Sequence, residues 1–345
     1  MKKVMLTLLC LITLIHCSEG KDDPVPPTPE NPTPEVPVPE QTYTNPVIRK
    51  SLPDPTIIKA EDGYFYLYAT EDIPHVPIHR SRDLINWNYM GTAFKQETRP
   101  DFEPGGGIWA PDIEYIDGKY YLFYSMSVWG EEWTCGIGVA TAEKPAGPFT
   151  DQGKLFRSNE IGVQNSIDPF YIREEGVHYL FWGSFRGIYG AEMTKDGDSF
   201  TVGTPVRVAG SAFEGTYIHK KDGYYYMFAS IGSCCEGLNS TYTLVVGRST
   251  TLFGNYVDKE GRSMLDNGYT VVVGKNDKFV GNGHCSEIVQ DDAGNDWIFY
   301  HGVSTSDPSG RVLMMDQVKW DADGWPYVDN ATPSTKATKP HFVFE

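Results

Sequence analysis

The stretch Asp54-Pro55-Thr56-Ile57-Ile58, followed by Gly63-Tyr64-Phe65-Tyr66-Leu67-Tyr68, decides the fold because it returns four more times. A short apolar run, a turn carrying Gly and an aromatic run form one unit. The unit recurs from Ala110-Pro111-Asp112-Ile113 with Gly118 to Phe123, and from Asp168-Pro169-Phe170-Tyr171 with Gly176 to Phe181. It returns again from Glu214-Gly215-Thr216-Tyr217 with Gly223 to Phe228, and from Ser286-Glu287-Ile288-Val289 with Gly294 to Tyr300. From the first residue of each copy to its turn Gly the separations are 9, 8, 8, 9 and 8 positions, too regular for unrelated hairpins. Third and fourth strands follow, as in His79 to Trp87 and Thr243 to Ser249. Five such copies predict an all-β fold, a five-bladed β-propeller. A two-sheet sandwich would not yield five similar units. The segment from Arg311 to Val328 is expected to supply outer strands that close the ring.

The 345-residue chain is long enough for one large core, and its 40% hydrophobic content excludes a disordered protein. Acids outnumber bases 46 to 29, for a net charge of −17, so nucleic acid is excluded as a partner. The 8 Trp, 21 Tyr and 17 Phe leave aromatic surface for stacking on a ligand. Apart from Cys10 and Cys17, the folded part keeps Cys135, Cys234, Cys235 and Cys285, too few and too irregular for a disulfide framework or a zinc site. Cys234 and Cys235 are read as two packed thiols, with a vicinal disulfide between them as the alternative.

Lys2 and Lys3 before the apolar run Val4 to Ile15 mark residues 1–16 as a signal peptide, too short to span a bilayer. Leu14-Ile15-His16-Cys17 resembles the lipobox of bacterial lipoproteins, which implies a lipidated Cys17 and a membrane contact through that anchor alone. Residues 17–44 are rich in Pro, Asp and Glu and read as an extended tether. The propeller is expected over 45–345, as a monomer at a bacterial cell surface.

In a propeller the first strand of each blade lines the central channel, so the first residues of the copies meet at one rim. Asp54, Ala110, Asp168, Glu214 and Ser286 are expected there. Three carboxylates at one spot repel one another and mark a site of acid–base chemistry.

These residues resemble family-43 glycoside hydrolases, five-bladed propellers with an Asp, Asp, Glu active site. The resemblance runs from about Ser51 to Val328. It rests on Asp54-Pro55, Ile108-Trp109-Ala110-Pro111-Asp112-Ile113, Ser166-Ile167-Asp168-Pro169, Phe213-Glu214-Gly215 and Gly283-His284. It implies that Asp54 is the general base, Glu214 the general acid, and Asp168 the group that raises and orients the acid through its charge. His284 corresponds to a metal or water site at the channel centre, which implies a structural calcium ion, a sodium ion or a water cluster there, with a hydrogen-bonded core His as the alternative; no organic cofactor is implied. The segment Cys234 to Tyr242, Gly183-Ser184-Phe185 and Trp320 to Pro326 are similar to the arabinan-cleaving branch. The expected activity is therefore inverting hydrolysis of α-L-arabinofuranosyl linkages in plant polysaccharides, endo or exo. A β-xylosidase, a galactan-directed hydrolase and a non-catalytic glycan-binding propeller are the rivals. Trp109, Phe185, Arg186 and Arg311 are the expected substrate contacts, with Trp129 and Trp133 as further sugar platforms. Arg186 replaces the second aromatic residue usual after Gly-Ser-Phe.

Overall fold

The computed structural model describes residues 41–344. The signal peptide, Cys17 and nearly all of the tether lie outside the described residues.

The second strand of each blade shows why the sequence is so aromatic. In a strand successive side chains point to opposite faces, and here both faces are buried. In Lys119–Ser127, Tyr120, Leu122 and Tyr124 enter one core cluster while Tyr121 and Phe123 enter the next. Phe65 and Leu67 are likewise parted from Tyr66 and Tyr68, and Trp297 and Phe299 from Ile298 and Tyr300. The cores thus follow the seams between blades: these three strands each serve two clusters, while Tyr225 to Ala229 of a fourth lie wholly in one.

Blade one is a four-stranded antiparallel sheet of Thr56–Lys59, Phe65–Tyr68, Pro77–Ser81 and Asn88–Thr92. Gly107–Ile116, Lys119–Ser127, Gly136–Ala142 and Thr150–Arg157 form blade two. Blade three comprises Phe170–Glu174, Val177–Trp182, Ile188–Asp196 and Ser199–Val202, and blade four Glu214–Lys221, Tyr224–Ile231, Thr243–Ser249 and Thr270–Val273. Blade five has Val289–Gln290, Asp296–Ser304 and Asp307–Trp320. The expected five-bladed propeller is what the chain forms. The turns follow the expected chemistry: Asp117-Gly118, Glu175-Gly176 and Asp222-Gly223 all take positive φ, the two-residue hairpin geometry whose twist matches the strands.

Two expectations are corrected. The outer strand that completes blade five is Ile48–Ser51, from the N-terminal side of the propeller, paired with residues 312 and 313; the segment after Arg311 instead supplies the third strand. Thr42–Thr44, assigned to the tether, pairs with Lys336–Thr338 and belongs to the folded unit.

Candidate active site

The channel rim is built by one backbone device used five times. Counting two residues back from the first regular pair of blades one to four gives Asp54, Ala110, Asp168 and Gly215, and in blade five His284 lies two residues before Ser286, whose N–H donates to Phe299 O at 2.8 Å; all five have positive φ between 41° and 60°. The fifth place therefore belongs to His284, not to Ser286 as expected, and the fourth to Gly215, with Glu214 one residue earlier. A Cβ on Gly215 would stand 2.9 Å from His284 Nδ1, so this position needs Gly for space as well as for φ.

Each of these five residues has its backbone N–H held by the preceding blade. Ala110 N donates to Thr70 Oγ1 at 2.8 Å, Asp168 N to Ser125 Oγ at 2.8 Å and His284 N to Ser230 Oγ at 2.8 Å. Asp54 N stands 3.2 Å from His301 Nδ1. Blade three has Gly183 at this level, where a Cβ would lie 2.2 Å from Gly187 O, so no side chain fits. The Asp168 carboxylate fills the role instead, accepting from Gly215 N at 3.2 Å.

Asp54, Asp168 and Glu214 are 8%, 6% and 8% exposed and line one cleft of about 710 Å³. Thr70 donates to Asp54 Oδ2 at 2.6 Å, Arg311 Nη1 stands 3.3 Å from Oδ1, and His284 Nδ1 3.4 Å from Oδ1. His301 Nδ1 lies 3.1 Å from the same oxygen; a neutral ring can serve this oxygen or the Asp54 N–H, one at a time. Burial alone would raise the Asp54 carboxyl, but the Arg311 guanidinium, aided by His284 and His301, holds it well below the usual range.

Glu214 is pushed the other way. Burial raises it to about 7, against the hydrogen bonds from Ser184 and Tyr242 that favour its charged form; the Ser184 hydroxyl donates to Oε2 at 2.6 Å. Asp168 is also raised, by burial first and then by the charge on Glu214. Two buried acids this close disfavour each other's ionisation, so both are raised. The expectation that the Asp168 charge dominates the Glu214 shift is corrected: burial is the larger cause.

Trp109, Phe185 and Arg311 line the cleft, as does Trp129, which is 75% exposed and edge-on to Trp109. Arg186 does not line it; its guanidinium is taken up by Glu132, at 2.7 and 2.8 Å. Trp133 is half exposed and also lies off the cleft wall. Cys234 and Cys235 do line it, and they form a disulfide rather than the two thiols expected. His284 sits beside Asp54, burial holding it down to about 4. Among the described residues no group of three or more His, Cys, Asp or Glu side chains is arranged to hold a metal ion. The side chains at His284 do not make a protein cage for calcium, which favours many oxygen ligands.

Thr70, His301 and Ser125 escaped the sequence reading, although the signal was present. Each is the polar residue two positions beyond the paired aromatic of its second strand.

A buried, ionised carboxylate and a buried, protonated one at the mouth of a propeller make a glycosidase. Residues 43–326 match the model of glycosyl hydrolases family 43, and the chain belongs to that family. It is 35% identical over 307 residues to an extracellular exo-α-(1→5)-L-arabinofuranosidase of Cellvibrio japonicus, covering 80% of this chain and 86% of that protein. It is 33% identical to extracellular endo-α-(1→5)-L-arabinanase 1 of Bacillus subtilis, over 80% of this chain and 87% of that one. The solved α-L-arabinanase of Cellvibrio cellulosa with arabinohexaose superposes with a TM-score of 0.73 at 32% identity, covering 81% of this chain and 96% of that chain.

Proposed function

We propose that this protein is an extracellular inverting hydrolase of α-L-arabinofuranosyl linkages in plant arabinan and related polysaccharides, anchored at the cell surface through Cys17. One observation carries the reading: in one cleft the Arg311 guanidinium beside Asp54 holds its carboxyl well below the usual range, while burial raises Glu214 to about 7. Glu214 gives its proton to the glycosidic oxygen as the bond to the anomeric carbon breaks. Asp54 takes a proton from a water that attacks that carbon from the opposite face. Asp54 and Glu214 belong to blades one and four, which are not neighbours in a five-membered ring. A pair across the mouth leaves room for sugar and water, the inverting arrangement, at roughly 6.5–9.5 Å between carboxyls. Asp168 fixes the backbone next to Glu214 through Gly215, and Trp109, Trp129 and Phe185 offer ring faces to the sugar. The relatives' action on α-(1→5)-linked arabinose supports the substrate class.

The test is incubation with arabinan, arabinoxylan and arabinogalactan, with identification of the sugars released. Arabinose or arabino-oligosaccharides are expected; xylose or galactose as the main product, or no product, would overturn the reading.

A further inference from the structure

We propose that the seam between blades one and five, beside the active-site cleft, is a second saccharide site that takes a carboxylated sugar residue, a uronate. A cavity of about 540 Å³ opens there. Its walls come from Arg49, Lys50 and Ser51 on the closing strand, from His79 and Tyr89 on the outer strands of blade one, and from Ser309 and Gly310. Ser309 and Gly310 also line the catalytic cleft, so the two cavities flank the start of the strand Asp307–Trp320.

Three features of this seam point to a ligand. His79 is 5% exposed, yet its ring Nδ1 has no hydrogen-bond partner among the described residues. Leaving a buried polar nitrogen without a partner costs about 1–3 kcal/mol, and His79 belongs to the wall of this cavity. Tyr89, whose ring lies against His79 at 5.3 Å between centroids, is 56% exposed and presents an aromatic face. Arg49 and Lys50 are exposed and enter no ion pair among the described residues. Two adjacent unpaired cations are conspicuous on a chain of net charge −17.

The chemistry of these groups selects the ligand class. The aromatic face of Tyr89 suits a sugar ring, and the two cations on the cavity wall suit a carboxylate, which a guanidinium grips through two parallel bonds. The nearby acid is Asp72, engaged by the Ser51 hydroxyl at 2.6 Å and facing Arg311 at 3.7 Å, so its charge is already answered. His79 is held down to about 4 by burial and by Lys50, and stays neutral at pH 7. The saccharide identity of the ligand rests on the hydrolase reading; the anionic part rests on the seam alone. Such a site would hold an enzyme on an acidic polysaccharide while the neighbouring cleft works on its neutral branches.

The probe is trigalacturonic acid, titrated by calorimetry or NMR, with neutral arabinotriose as the control. Trigalacturonate is expected to bind, and the double change Arg49→Ala, Lys50→Ala to weaken it about tenfold or more, as loss of charge-assisted bonds requires. Raising the salt to about 0.5 M should weaken it likewise, since exposed charges are screened. Tyr89→Ala should weaken it without altering the salt dependence. Both variants should keep the melting temperature and the turnover of a small aryl arabinofuranoside. Absence of trigalacturonate binding, or binding unchanged in both variants, overturns the proposal. Because binding is read without turnover, failure of the hydrolase reading would be a separate result.

Discussion

Asp168 accepts a hydrogen bond from the Gly215 backbone N–H at 3.2 Å, the bond that every other blade makes with a polar side chain closing the preceding blade's second strand. A carboxylate thus replaces a hydroxyl or imidazole at the one blade where Gly183 leaves no room for a side chain. The replacement places a second acid beside Glu214 without adding a residue to the ring.

Loss of the Ser184 hydroxyl should shift the pH profile in a known direction. Its bond to Glu214 Oε2 favours the charged carboxylate. Activity depends on the protonated form, so the alkaline limb, expected near pH 7, should move upward in Ser184→Ala. A limb that stays in place in the kcat/KM profile would remove Glu214 as the titrating acid.

Arg311→Met should act on the opposite limb. Without the guanidinium, burial prevails at Asp54 and its proton affinity rises. The acidic limb then moves to higher pH, so the loss of rate is larger at about pH 5 than at about pH 7. An equal loss at both would assign Arg311 to substrate binding alone.

Asp54→Asn should abolish hydrolysis whatever the leaving group, by about 10²–10⁴-fold or more. Glu214→Gln should do the same for natural linkages and spare aryl glycosides whose phenol departs without a proton. Rates on the two substrate types separate the roles, and equal losses would contradict the acid assignment.

Gly215→Ala should destabilise the fold by more than an exposed loop change would. The left-handed backbone costs about 1–2 kcal/mol with a Cβ, and crowding of the His284 ring about 1–3 kcal/mol more. Thermal unfolding measures it, and a melting temperature equal to the parent's would show that the ring yields freely.

Reduction of Cys234–Cys235 should raise KM while leaving the melting temperature nearly unchanged. The bridge closes no loop beyond its own two residues, so it restrains little of the unfolded chain. Its place is in the cleft wall, on a loop that Ser233 and Thr241 clamp at the neck. Kinetics of the Cys234→Ser, Cys235→Ser variant, and of the parent with a dithiol, check this.

The blade repeat, the two Asp-Pro motifs and the hairpin turns were legible because each is local: periodicity and turn chemistry act over a few residues. Glu214 was found one residue away from its structural slot, and Ser286 stood in for His284, because bulges and an extra turn shift the count without altering the pattern. Arg311 was named, but its bond to Asp54 joins residues 257 positions apart, and no local rule encodes that. Ile48–Ser51 was unreadable as a propeller strand for the same reason. The disulfide at 234 and 235 depends on backbone geometry that the dipeptide alone does not reveal.

The closing strand has a consequence for the order in which the protein is made. Ile48–Ser51 is synthesised early and finds no partner until residues 312 and 313 have emerged. Arg311 arrives in the same stretch, so the guanidinium that offsets the burial of Asp54 is in place only when that stretch docks. The strand pairing that closes the ring and the ion pair at the base thus draw on the same few residues. A chain that stops short of residue 311 could assemble four blades and carry all three acids, and still be inert as a catalyst.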